Sequence, residues 1–223
     1  MEVIIVSIAY SLEKQQKLKK LLVSLKKTVT INIENDDLIY LKANKYSMCF
    51  AKKVENQYTV TWRISKDFLS TNIFSWTPQY TLSGTIKYES GTEIIANTNT
   101  VEIALGETSI LSEYGLFSEP ITEGKEISIN IDNRYSSDIH ACISQISTAP
   151  DGITKIAPIY VTPFLLPLGN ISLTTTEIIN VWFEQNISTK ISIHEARTNC
   201  YEFDMTSKNE DYITYKNRNW VKE

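Results

Sequence analysis

From Thr28 to the end of the chain the apolar residues recur with a period of two almost everywhere. Successive side chains of a strand point to opposite faces, so this period is the signature of half-buried strands. Glu126–Ile131 is the clearest case, with Ile127, Ile129 and Ile131 on one side. Tyr46–Val54 and Tyr58–Ile64 read as a hairpin across the turn "ENQ", with Tyr58, Val60 and Trp62 sharing a face. Further strands are expected at Asp37–Lys42, Gln79–Tyr88, Thr100–Ala104, Ser137–Ser147, Ile178–Glu184, Lys190–Glu195, Tyr201–Asp204 and Tyr212–Tyr215. Leu69–Trp76 reads as irregular and aromatic. Ile156–Val161 contains Pro158, which cannot donate to a ladder, so it belongs at a sheet edge.

One stretch breaks this period. After a strand at Val3–Tyr10, residues Leu12, Leu18, Leu21, Leu22 and Leu25 are spaced as one face of a helix. Lys14, Lys17, Lys19, Lys20, Lys26 and Lys27 lie between them. The spacing predicts an amphipathic helix over Ser11–Lys27. The remaining connections are too short for helical crossovers, so antiparallel pairing is expected. The fold class is therefore mainly β: an antiparallel β-sandwich, jelly-roll-like or simpler, with one amphipathic helix near the N-terminus. No polar tract separates the halves, which favours a single domain over 1–223. The alternative is two tandem β domains, 1–115 and 125–223, divided at the Gly/Pro-punctuated stretch around Gly115–Lys125.

Composition narrows the functional classes. The 223 residues carry 22 Lys plus Arg against 26 Asp plus Glu, a net charge of −4. Only Arg63, Arg134, Arg197 and Arg218 supply guanidinium groups, and no basic stripe runs through the β region, so nucleic acid is not the expected partner. His140 and His194 are the only histidines, too few for a multi-His zinc centre. Cys49, Cys142 and Cys200 are dispersed without a CxxC pair. Dispersed thiols suit a reducing compartment, and no secretory leader or apolar run of spanning length is present, so a cytoplasmic location is expected. No glycine-rich phosphate loop and no G-x-S-x-G elbow occurs. No cofactor and no metal are expected.

The candidate site is an aromatic window. Trp62, Phe68, Phe74, Trp76, Tyr80 and Tyr88 fall close together, with Arg63, Asn72 and Gln79 beside them. Rings at loops or strand ends stack on sugars or apolar ligands, and polar neighbours orient them. The expected ligand-binding residues are Arg63, Asn72, Phe74, Trp76, Gln79 and Tyr80. The opposite reading puts the same rings in the core. The expected function is non-enzymatic recognition of a carbohydrate or a small apolar ligand. Two alternatives remain. Lys14, Lys17, Lys19 and Lys20 form a membrane or partner surface on the basic helix. Paired carboxylates drawn from Glu102, Glu107, Glu113, Glu119, Asp132, Asp138, Glu184 and Asp204 would serve a hydrolase or isomerase. Unpaired sheet edges favour a homodimer.

Overall fold

The structure is a computed structural model that describes residues 25–89, 92–187 and 199–222. The strand at Val3–Tyr10, the helix at Ser11–Lys27 up to residue 24, the four lysines Lys14, Lys17, Lys19 and Lys20, the strand at Lys190–Glu195 and His194 lie outside these residues.

The chain is mainly β, as the period of two requires, and its strands form two packed sheets. The first sheet runs β13 (Asn219–Val221), β12 (Glu210–Lys216), β1 (Lys27–Ile33), β4 (Thr71–Thr85), β8 (His140–Thr148) and β9 (Thr154–Val161), with β5 (Val101–Ile103) added to β4. The second runs β3 (Arg63–Ser65), β2 (Tyr46–Val54), β10 (Gly169–Gln185), β7 (Ser128–Asn133) and β6 (Thr108–Leu111), with β11 (Tyr201–Asp204) added to β10. One buried cluster fills the space between them, from Val29 and Ile31 through Phe50, Trp62, Phe74 and Ile129 to Phe203 and Ile213. That cluster takes residues from both sides of the Gly115–Lys125 stretch. Pro158 does lie on an edge strand, β9.

Three expectations need correction. Asp37–Lys42 is helical, within α1 (Asn35–Ala43), not a strand. Asp36 and Asp37 in its first turn and Lys42 in its last complement the helix dipole, and only Asp37 and Leu41 are buried, so a period of two never applied there. Second, pairing is mixed. Most neighbours are antiparallel, but β1–β12 and β6–β7 are parallel. β1 and β12 are joined through nearly the whole chain rather than by a short loop, which frees them from the hairpin rule. Third, Leu69–Trp76 is not irregular. Its second part opens β4, a strand of 15 residues.

The two longest strands share one device. β4 pairs with β8 along one side, and on the other side with β1 through Trp76 and then β5 from Tyr80. β10, 17 residues long, pairs with β7 through Thr174 and with β11 from Ile178. Each slips register at the changeover, β4 between Trp76 and Tyr80 and β10 between Thr175 and Ile179. Such bulges re-aim side chains and sharpen the local twist.

Candidate functional site

The aromatic window lies inside. Phe74 and Trp76 are buried, and Phe74 stacks on Phe50 with ring centres 4.1 Å apart and planes at 12°. Trp62 meets Phe74 edge-on at 5.1 Å and Trp76 at 6.1 Å. These are core contacts between the two sheets, so Phe74 and Trp76 offer no stacking platform to solvent. Asn72 is buried too. Its Nδ2 donates to the carbonyls of Leu69 and Ile31, and its Oδ1 accepts the Leu69 N–H. A polar Asn at an inward strand position hid the period of two, since Asn72, Phe74 and Trp76 alternate perfectly well. Arg63 is 2% exposed and donates to the carbonyls of Ser147 and Ile153. It ties edge strand β3 to the β8–β9 hairpin, a fastening between sheets. Burial pulls its guanidinium below the ordinary value, opposed by Asp151.

Beneath the rings sits an ion pair between a buried lysine and a partly exposed carboxylate. The wholly buried Lys52 Nζ reaches Glu177 Oε1 at 3.0 Å. Trp76 Nε1 donates to Glu177 Oε2 at 2.6 Å and the Tyr80 hydroxyl donates to Oε1 at 3.4 Å. Lys52 also lies 5.8 Å from the Trp76 ring centre and 5.7 Å from that of Tyr80. Glu177 sits in the β10 bulge, and its three donors come from β2 and from both flanks of the β4 bulge. Burial lowers the Lys52 ammonium from its usual range, and Glu177 opposes that shift. Burial also raises the Tyr80 phenol, helped by the Glu177 charge. With donors from both sheets on its two oxygens, Glu177 works as a clamp between them.

The bulge sends Gln79 the other way. Tyr80 points inward to Glu177, so Gln79 and Thr81 face outward. Gln79 is exposed, and it lines a cleft of about 630 Å³ on the outer face of the first sheet. Thr81, Ile146 and Ile156 continue the floor on β4, β8 and β9. Glu102 on β5 stands beside Thr81 by register, and Ile156 beside Ile146. The walls are Pro78, Ala104, Glu107, Glu119 and Pro120. Glu107 Oε2 accepts the Ala104 N–H at 2.8 Å, which fixes the turn that follows β5. Glu102 and Glu119 make no ion pair among the described residues and are exposed to the cleft. The cleft thus combines an apolar floor with carboxylate and amide acceptors at its rim.

Of the six expected ligand-binding residues, the structure brings Gln79 and the backbone of Tyr80 to this cleft. Arg63, Asn72, Phe74 and Trp76 face the interior. The aromatic window did not point to Ile146 and Ile156. Their signal is the alternation of β8, where Gln145 is buried and Ile146 must therefore face out. No group of three or more His, Cys, Asp or Glu is placed to hold a metal among the described residues. Cys49 and Cys142 are buried thiols, and Cys200 is partly buried. His140 turns Nδ1 to the carbonyl of Thr162 at 2.7 Å. Among the described residues no helix is long and apolar enough to cross a membrane. No family model matches the sequence, and neither a curated protein nor a solved structure resembles it significantly.

Proposed function

We propose that this protein is a non-enzymatic binding protein that takes a carbohydrate into the cleft lined by Gln79, Thr81, Glu102, Glu119, Ile146 and Ile156. The reading keeps the ligand class that the sequence favours and moves its site off the aromatic cluster. One observation carries it: exposed carboxylates outside any ion pair among the described residues rim an apolar floor, in a cleft large enough for a sugar ring. Sugar hydroxyls donate to Glu102, Glu119 and the Gln79 amide oxygen. The C–H face of the ring lies over Ile146 and Ile156. Hydrogen bonds to charged acceptors are the stronger kind, so Glu102 and Glu119 supply most of the orientation.

The test is a heteronuclear NMR titration of the full chain with neutral mono- and disaccharides. Shifts confined to Gln79, Thr81, Glu102, Ile146 and Ile156, lost in Glu102→Gln/Glu119→Gln, are expected. Shifts elsewhere, or none at millimolar sugar, would reject the carbohydrate reading. Release of a cleaved product during the titration would reject the non-enzymatic one.

A further inference from the structure

Lysines gather where the second sheet ends beside α1. β2 begins at Tyr46, β3 ends at Ser65 and β10 ends at Gln185, all at one margin of the sheet. Continued past Met48–Ser65, the register sets Lys66 beside Ser47 and Asp67 beside Tyr46. Continued past Tyr46–Gln185, it sets Asn186 beside Lys45. The last turn of α1 adds Lys42. Lys45 follows the helix cap in the left-handed region, at φ 57°, a place that ordinarily takes glycine. These residues line a pocket of about 500 Å³.

The charges in this pocket are not matched. Lys42, Lys45 and Lys66 are exposed and make no ion pair among the described residues. Nearby helix-end carbonyls already have donors: Asn44 caps Tyr40, the Lys45 N–H reaches Lys42, and the Gln185 amide reaches Asn44. Glu184, beside Ser47 by register, accepts the Trp182 indole N–H at 2.7 Å. Asp67 is the one carboxylate among the described lining residues, so three ammonium groups face a single negative charge. Ser47 gives a second, independent sign. It is 4% exposed and lines the pocket, and its hydroxyl makes no hydrogen bond among the described residues. A polar group so buried costs stability unless something supplies a partner.

We infer that this pocket binds the phosphate group of a small phosphate monoester that also carries hydroxyls. Lysine binds phosphate as a point charge, and here three such charges come from α1, the α1–β2 turn and the exit of β3. The Ser47 hydroxyl donates to a phosphate oxygen. Asp67 repels a bare phosphate but accepts a hydroxyl from the body of the ligand, so the ester is favoured over the free ion. The size of the pocket leaves room for that body. None of these residues lines the cleft on the first sheet, so the inference stands apart from the carbohydrate reading.

The experiment is a heteronuclear NMR titration of the full chain with glycerol 3-phosphate, inorganic phosphate and glycerol, at constant ionic strength. Saturable shifts at Lys45, Ser47, Lys66 and Asn186 are expected with glycerol 3-phosphate. Inorganic phosphate should move the same residues several-fold more weakly, and glycerol should move none of them. Lys42→Gln/Lys66→Gln should weaken the ester at least about tenfold, as loss of a charge-assisted hydrogen bond does, with an unchanged urea midpoint. Ser47→Ala should weaken it about fivefold. Asp67→Ala should bring ester and free phosphate to equal affinity. Shifts that fail to saturate and spread over remote lysines such as Lys87 and Lys155 would overturn the site and leave only counterion association. Equal binding by wild type and Lys42→Gln/Lys66→Gln would overturn it too, as would the absence of shifts. Tighter binding of free phosphate than of the ester would overturn the monoester as ligand.

Discussion

The two faces of β4 make opposite use of one short sequence. Inward, Phe74, Trp76 and Tyr80 join Phe50, Trp62 and the Lys52–Glu177 pair in a dense contact between sheets. Outward, Gln79 and Thr81 sit in an open cleft with aliphatic rather than aromatic flooring. The aromatic residues suggested recognition, yet they hold the fold, and the plainer face carries the candidate site. The reason is the size of the rings. A large ring buried between two sheets removes much apolar area from water, so the core claims it first. The bulge at Thr77–Gln79 makes the separation local, since it resets which residues face out.

The largest effects should come from the inner face. Phe74→Ala or Trp76→Ala should cost about 4 kcal/mol, by loss of buried area and the cavity left behind, read as a lower urea midpoint. A cost below about 1 kcal/mol for both would mean that the rings are not core. Next comes Glu177→Leu, which leaves the buried Lys52 ammonium without its partner and should cost about 3 kcal/mol. Lys52→Met in the same chain should restore part of that loss, because it removes the stranded charge.

The same pair predicts a pH dependence. Lys52 has an ordinary value of 10.5 and a lower one in the fold, chiefly through burial. Between the two values the unfolded chain binds more protons than the native one, so stability rises with pH across that window. Wild type should therefore gain on Lys52→Met as pH climbs toward 10.5, measured as paired urea midpoints. A gap that stays constant or moves against wild type would show that Lys52 keeps its proton as readily in the fold as outside it.

The outer face should be nearly silent in stability. Gln79→Ala and Glu102→Gln should shift unfolding by no more than about 0.5 kcal/mol, while weakening sugar binding about tenfold. A large stability loss at Gln79 would erase the contrast between the two faces. Smallest of all is Asp211→Asn on β12. Burial raises the Asp211 carboxyl, but Lys208 and Lys222 outweigh it and hold the group below its ordinary 3.8. Its contribution is present above pH 3.8 and fades as pH falls through the lowered value. The loss at pH 7 should be about 0.5 kcal/mol, as for other exposed pairs, and should vanish near pH 2.

Several elements are legible in the residue pattern. Tyr46–Val54 and Tyr201–Asp204 match β2 and β11 residue for residue. Trp182 and Phe183, adjacent in the chain, do divide between faces: Phe183 packs on the main core, and Trp182 is buried with Cys49 and Ala51 behind the second sheet. Trp220 closes over Phe183, stacked at 5.5 Å. The cleft is less legible. Glu102, Glu107 and Glu119 are three acids among many, and Ile146 and Ile156 look like any strand residues.

The residue pattern alone establishes that the chain is mainly β, the bounds of a few strands such as β2 and β11, and which neighbours must part to opposite faces. Those follow from the period of two, a local property of the backbone. Which face of each strand became interior was left to the packing, because that depends on the sheet laid against it. So was the parallel pairing of β1 with β12, since strands so distant in the chain meet only after the sheets assemble. Packing also gathered β4, β5, β8, β9 and the turns after β5 and β6 into one cleft. No local rule carries that information, because register across sheets is fixed by the packing of the core.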